Sequence, residues 1–258
     1  MDKPSLETAI NKISEVLIQS VRKSTDGIEK IGVSFSGGLD SSFLVYLLRN
    51  YTSVKEISLI TACFPGTYDV ENSKHSAKLL GLESEFYFLD QNILTEGIEE
   101  LSEVIGTFNP IVISYMLPLY FVCKNSTDEF ILLGQGSDEL FGGYHWQQDL
   151  EENEFIRKTR KTVVDLLIEV GKREKVIAKY FQKELIMPYL DRELIDYVLP
   201  LPKEYRAARQ EKYILRLVAE RLGLPEEISW KKKKAAQYGS GIMREMKKTK
   251  GETKLSWR

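Results

Sequence analysis

Cysteine is nearly absent from this chain. Cys63 and Cys123 lie far apart with no C-x-x-C spacing, which excludes a disulfide framework and a four-cysteine zinc site. Each sits in an apolar run and reads as a small buried hydrophobe. Histidine is equally scarce: His75 and His145 form no evident nucleophile–base pair, and His145, beside Tyr144, reads as a surface or packing residue. No apolar stretch approaches the ~18 residues of a membrane span. The N-terminal segment carries Glu7 and Glu15 through an amphipathic pattern, unlike a secretory signal, so a cytoplasmic protein is expected. Excess charge is also missing. With 36 basic and 38 acidic residues the net charge is −2, too small a field to recruit nucleic acid or an acidic membrane. The local exception is residues 231–258, with ten Lys or Arg against Glu245 and Glu252, read mainly as a solvated basic face.

What is present suits a folded enzyme. A chain of 258 residues, 43% hydrophobic and 29% charged, buries a sizeable core as one α/β domain or a domain with a helical extension. Apolar residues recur at helical spacing over 5–23. Short β-rich runs follow at 30–35, 57–63, 85–89 and 130–134, separated by helical patterns at 40–49, 69–80, 91–105 and 112–124, with Gly81 as a helix stop. Such alternation predicts a mostly parallel twisted sheet with helices on both faces. After about residue 146 the strand pattern disappears. Residues 154–183, 191–199 and 210–222 read as helices, a layer packed on the sheet. The expected organisation is a single unit over 1–258: an α/β core at about 28–145, a helical layer at about 146–245 and a basic tail at about 246–258.

Ligands of parallel sheets bind beyond the C-terminal strand ends, and two glycine turns fall there. The first, SFSGGLDSS at 34–42, lets the backbone turn tightly. It then offers unpaired N–H groups at a helix start to anionic oxygens. Ser34, Ser36, Gly37, Gly38, Asp40, Ser41 and Ser42 are the candidate phosphate-binding residues. No Gly-Lys-Ser/Thr ending follows, so this is not the Walker loop, and it lacks the dinucleotide fingerprint. The second turn, GQGSDELFGGY at 134–144, adds Gly134, Gln135, Gly136 and Asp138. Mg²⁺ delivered with ATP takes hard oxygen ligands from one or two carboxylates plus phosphates, and Asp40 and Asp138 are the candidate pair.

SGGLDSS resembles the PP-loop signature of ATP pyrophosphatases, and GQGSDELFGGY is similar to the GEGSDELFGGY segment of asparagine synthetases and their relatives. Two weaker matches, PYLD at 188–191 and EKYILR at 211–216, resemble the family's P-F-L-D and K-x-x-L-R stretches. The resemblance spans about 30–242. It implies an ATP-dependent, AMP-forming ligase. A small, aspartate-like carboxylate attacks the α-phosphorus of ATP, pyrophosphate leaves, and ammonia or an amine displaces AMP. It also implies a lysine that stabilises the developing negative charge. The family's lysine stretch resembles residues 230–234 followed by Gly239-Ser240-Gly241, which puts Lys233 in the catalytic place, or Lys234 if the register moves by one. Lys231 and Lys232 then read as solvated.

Two departures stand out. Gln135 replaces the glutamate that the synthetases carry to assist the amine step, and a neutral amide cannot take a proton. The first glycine turn arrives by residue 36, so the family's N-terminal glutaminase region is not expected in this chain. Nitrogen is then expected from ammonia, from a separate glutaminase subunit, or from an amine substrate. Homo-oligomerisation is compatible with the sequence; membrane and nucleic-acid partners are not expected. The rival readings are an enzyme adenylating a tRNA base and a non-catalytic nucleotide-binding subunit of a glutaminase.

Overall fold

A computed structural model describes residues 3–207, 209–231 and 236–248. Five strands, β1 (Lys30–Ser34), β2 (Glu56–Cys63), β3 (Ser84–Phe88), β4 (Phe130–Leu132) and β5 (Glu184–Ile186), form one sheet in the order β3-β2-β1-β4-β5. All four pairings are parallel, with Val33 opposite both Leu59 and Leu132, and Leu132 opposite Ile186. The fold is therefore the α/β, parallel-sheet architecture anticipated from the alternating pattern.

The helices are α1 (Leu6–Ser24), α2 (Leu39–Tyr51), α3 (Tyr68–Leu79), α4 (Gln91–Ile105) and α5 (Pro110–Asn125) through the core. They continue as α6 (Ser137–Phe141), α7 (His145–Gln148), α8 (Glu152–Asp165), α9 (Gly171–Tyr180), α10 (Arg192–Val198) and α11 (Lys203–Arg206). The last described are α12 (Tyr213–Leu222), α13 (Glu226–Ser229), α14 (Ala236–Gly239) and α15 (Ile242–Met246). Their boundaries follow local chemistry. Ser5 and Asp90 cap α1 and α4 through side-chain oxygens, and Asn109 caps α5 ahead of Pro110, each satisfying amides left open at a helix start.

Successive strand residues feed opposite faces. Leu59 and Leu132 join a core built with α1, α2, α10 and α12, while Ile60, Ile131 and Leu133 join a second core with α4, α5, α9 and α15. Both cysteines are buried and free. Among the described residues no single helix is long and apolar enough to cross a membrane.

Two expectations need correction. The strand pattern does not end near residue 146: β5 extends the sheet beside β4. Its three residues are too few to show alternation. The helix expected over 154–183 is also interrupted by a π turn at Leu166–Val170, and it ends at Tyr180. At the other end, Ile242 and Met246 are buried while Arg244, Lys247 and Lys248 are exposed, so the segment leading to the basic tail packs through its apolar side chains and keeps its basic ones solvated. Residues 249–258 lie outside the described residues.

Candidate active site

The strand order decides where the two glycine turns go. β2 and β3 lie on one side of β1, and β4 and β5 on the other, so the order in which strands are added to the sheet reverses between the parallel neighbours β1 and β4. Turns leaving the C-terminal ends of two such neighbours bound the crevice where open parallel sheets bind ligands.

In the first turn Gly37 is irreplaceable on two counts. Its φ is +68°, and a Cβ there would lie 2.5 Å from the Asn72 carbonyl oxygen of α3. Helix α3 holds the turn by side chain to backbone: Asn72 Nδ2 donates to Ser36 O and Ser76 Oγ to Gly37 O, each at 2.7 Å. Gly38 then caps α2 with extended backbone and no side-chain bond, which leaves the first amides of a 13-residue helix for an anion. The hydroxyls of Ser41 and Ser42 are buried without hydrogen-bond partners.

The second turn closes against the first. A Cβ on Gly134 would sit 3.0 Å from Asp40 Cβ, and Gly136, at φ +93°, has Leu190 where its own side chain would be. Ser137 Oγ donates to Asp40 Oδ1 at 2.7 Å. The centre is occupied by Lys212, which carries a positive φ of 57° at the start of α12. Its ammonium lies 2.6 Å from both oxygens of Asp40 and 2.6 Å from Asp138 Oδ1, and its side chain is only 3% exposed. Burial pushes the Lys212 pKa down, but Asp138 and Asp40 outweigh it, and the group ends above its ordinary value. Gly143 makes room for this stem, since a Cβ there would lie 2.5 Å from Lys212 Cε. Tyr189 donates to the Asp40 carbonyl at 3.2 Å, so the PYLD segment also braces the first turn.

These turns border a cleft of about 700 Å³. Ser34, Ser36, Gly38, Asp40, Ser41, Gly134, Gln135, Gly136 and Asp138 line it. Gly37 and Ser42 lie behind that wall. Tyr68, Asp69 and Asn72 of α3 also line it, as do Tyr115, Glu139, Tyr144, Thr162, Asp165 and Glu174, with the charge of Glu139 felt at Glu174. Tyr144 donates to Glu139 at 2.5 Å. Burial first, and Asp138 second, raise the Glu139 pKa. His145 is exposed and away from the cleft, as is His75.

Lys233 and Lys234 lie outside the described residues. Their neighbours are anchored, however. Lys231 lines the cleft, with Nζ 5.9 Å from the centre of the Tyr68 ring, and desolvation lowers its pKa. The reading of Lys231 as merely solvated is therefore corrected. Its carbonyl accepts from buried Arg216 Nη1 at 3.0 Å. On the other side, a Cβ on Gly239 would lie 2.0 Å from Asp69 Oδ1, and Ser240 O accepts from Phe64 N at 2.9 Å. Lys212 and Glu174 were not foreseen as site residues. Lys212 falls inside the K-x-x-L-R match, a usable signal, whereas nothing in the local sequence marks Glu174.

A parallel sheet with a PP-loop-like turn at its switch point defines an α/β protein of PP-loop-like fold. The chain belongs to the asparagine synthase family, whose model matches residues 12–183 and 172–253. A putative glutamine-hydrolyzing asparagine synthetase of Methanocaldococcus jannaschii is 27% identical over 93% of this chain and 51% of its own length. Asparagine synthetase B of Escherichia coli is 25% identical over 90% of this chain and 45% of its own. The chain thus spans about half the length of these relatives. A solved tRNA thiolase from Methanococcus maripaludis aligns at 15% identity with a TM-score of 0.43, covering 97% of this chain and 82% of that one, too remote to carry functional weight.

Proposed function

We propose that this chain is an AMP-forming carbon–nitrogen ligase, which adenylates a small carboxylate and transfers the acyl group to ammonia or an amine. One observation carries the reading. Two carboxylates from separate turns, Asp40 and Asp138, meet at one buried cationic point, beside a helix start with unpartnered serine hydroxyls.

The donor set suits MgATP. Two carboxylates on facing turns suit a cation whose shell is completed by phosphates. Asp40 and Asp138 would hold Mg²⁺, and the ion neutralises phosphate charge when bound. Ser36, Gly38 and Ser41 hold the pyrophosphate portion at the start of α2, backed by Gly37 and Ser42, with Ser34, Gly134 and Gly136 shaping the nucleotide pocket. The α-phosphorus then faces a carboxylate held in the same cleft. Lys233, or Lys234 in the shifted register, supplies fixed positive charge where phosphate and acyl oxygens become more negative. Gln135 faces the acyl acceptor and orients it by hydrogen bonding. Nitrogen reaches the cleft as ammonia, from a separate glutaminase subunit, or on an amine substrate.

The test is carboxylate-dependent exchange of labelled pyrophosphate into ATP across a panel that includes aspartate. Exchange with at least one carboxylate is expected, reduced about 100-fold or more in Lys233→Ala. A wild-type protein that exchanges with none of them contradicts the reading.

A further inference from the structure

The functional reading leaves four cleft carboxylates unused, Asp69, Glu139, Asp165 and Glu174, and Glu174 is set apart by a buried orphan oxygen. It projects from α9, is 4% exposed, and lines the cleft near Glu139, the residue that follows Asp138 on α6. Its Oε2 is buried with no hydrogen-bond partner. A buried ionised carboxylate without a partner is costly and persists where something recompenses it. The titratable groups that the surrounding elements lend to the cleft are Glu139 from α6, Tyr115 from α5, Tyr144 and Asp165 from α8, while neither α4 nor β5, which also pack on α9, lends a side chain to the cleft. On α9 itself Arg173 points to Tyr115, with Nη1 at 3.5 Å from its hydroxyl. This part of the cleft is therefore acidic, and its orphan oxygen suits a cation with N–H groups to donate.

We propose that Glu174 is the proton acceptor of the amide-forming step, taking over the duty that Gln135 cannot perform. This rests on the ligase reading above. The amine nitrogen attacks the acyl carbon of the acyl-adenylate. As the C–N bond forms, the C–O bond to AMP breaks and AMP departs with that electron pair. The surplus proton on nitrogen passes to the Glu174 carboxylate and then to water, so charge and atoms balance. Burial, with Glu139 a second cause, pushes the Glu174 pKa up to about 8. A base poised there matches an amine reaction near neutral pH. A resting carboxyl that is mostly protonated also explains how the site stands without a counter-ion.

Glu174→Gln is isosteric with the protonated group and keeps the fold testable. Using the carboxylate that supports pyrophosphate exchange, the ratio of amide formation to exchange is expected to fall by about 100-fold. The wild-type rise in amide formation through pH 8 should flatten, and Gln135→Glu in the same background should restore part of the rate. An unchanged ratio, or an equal fall in both half-reactions, overturns the proposal. A second arm needs no carboxylate. Followed by carbon-13 NMR of labelled glutamate in the full chain, ammonium chloride should draw the Glu174 titration to lower pH where sodium chloride does not; equal effects of the two salts overturn the assignment. Absence of exchange with every carboxylate would instead defeat the ligase reading, while this titration still reads Glu174.

Discussion

At the scale of single residues, Lys212 holds two carboxylates that would otherwise repel across the turn. Its ammonium is buried between Asp40 and Asp138, and removing one partner of such a cluster strands the others. Lys212→Met is expected to cost about 3–5 kcal/mol, read as a lower urea midpoint, with Mg²⁺ recovering part of the loss; an unchanged midpoint contradicts the arrangement. Because the folded pKa lies above the ordinary value of 10.5, the lysine's contribution is complete below that value and lost as pH rises through the folded one. Glu174 runs the other way as an acid whose folded pKa is raised from 4.5 to about 8. Below 4.5 both states are protonated; from 4.5 to 8 the unfolded chain alone ionises and stability falls, and above 8 the penalty is constant. Glu174→Gln should therefore gain stability over wild type across that window, by a few kcal/mol at pH 9. Melting curves at pH 5 and pH 9 that show no widening gap would contradict it.

At the scale of elements, α12 does more than fill the core. Arg216 donates to the carbonyls of Glu211 at 2.8 Å, Ser229 at 2.6 Å and Lys231 at 3.0 Å, so one side chain fixes where the lysine stretch departs. Arg216→Met leaves these acceptors unsatisfied and should cost about 2–4 kcal/mol. It should also slow carboxylate-dependent pyrophosphate release. Arg216→Lys should not rescue either effect, because an ammonium cannot span three carbonyls in one plane. A lysine variant with wild-type melting and turnover would refute this role. Elements differ in how readable they were. β1, β2 and β4 announce themselves through apolar runs that lead into glycine-bearing turns, and β3 through an aromatic run. β5 is three residues long, and the break at Leu166–Val170 carries no proline or glycine within it. Pairing with β4 determines the strand and packing against α9 accompanies the break; the pairing is not a local property. Asp40 and Asp138 were legible because motifs marked them. Lys212 fell inside a marked stretch, but its place between the two aspartates was not marked, and Glu174 is defined only by its surroundings.

At the scale of the molecule, strand order is what converts two motifs into one site. Turns nearly a hundred residues apart in sequence touch because β4 returns to the free side of β1, so that Gly134 abuts Asp40. The cleft that opens at this contact also takes in Glu174. The account therefore depends on both turns serving one nucleotide through a shared divalent ion. Manganese binding followed by electron paramagnetic resonance tests this most directly, in the presence of ATP, on the wild-type protein and on Asp40→Asn and Asp138→Asn. Each variant should weaken the manganese–ATP complex by about tenfold or more while melting cooperatively. If either variant bound manganese–ATP as tightly as the wild type, the shared site would be contradicted.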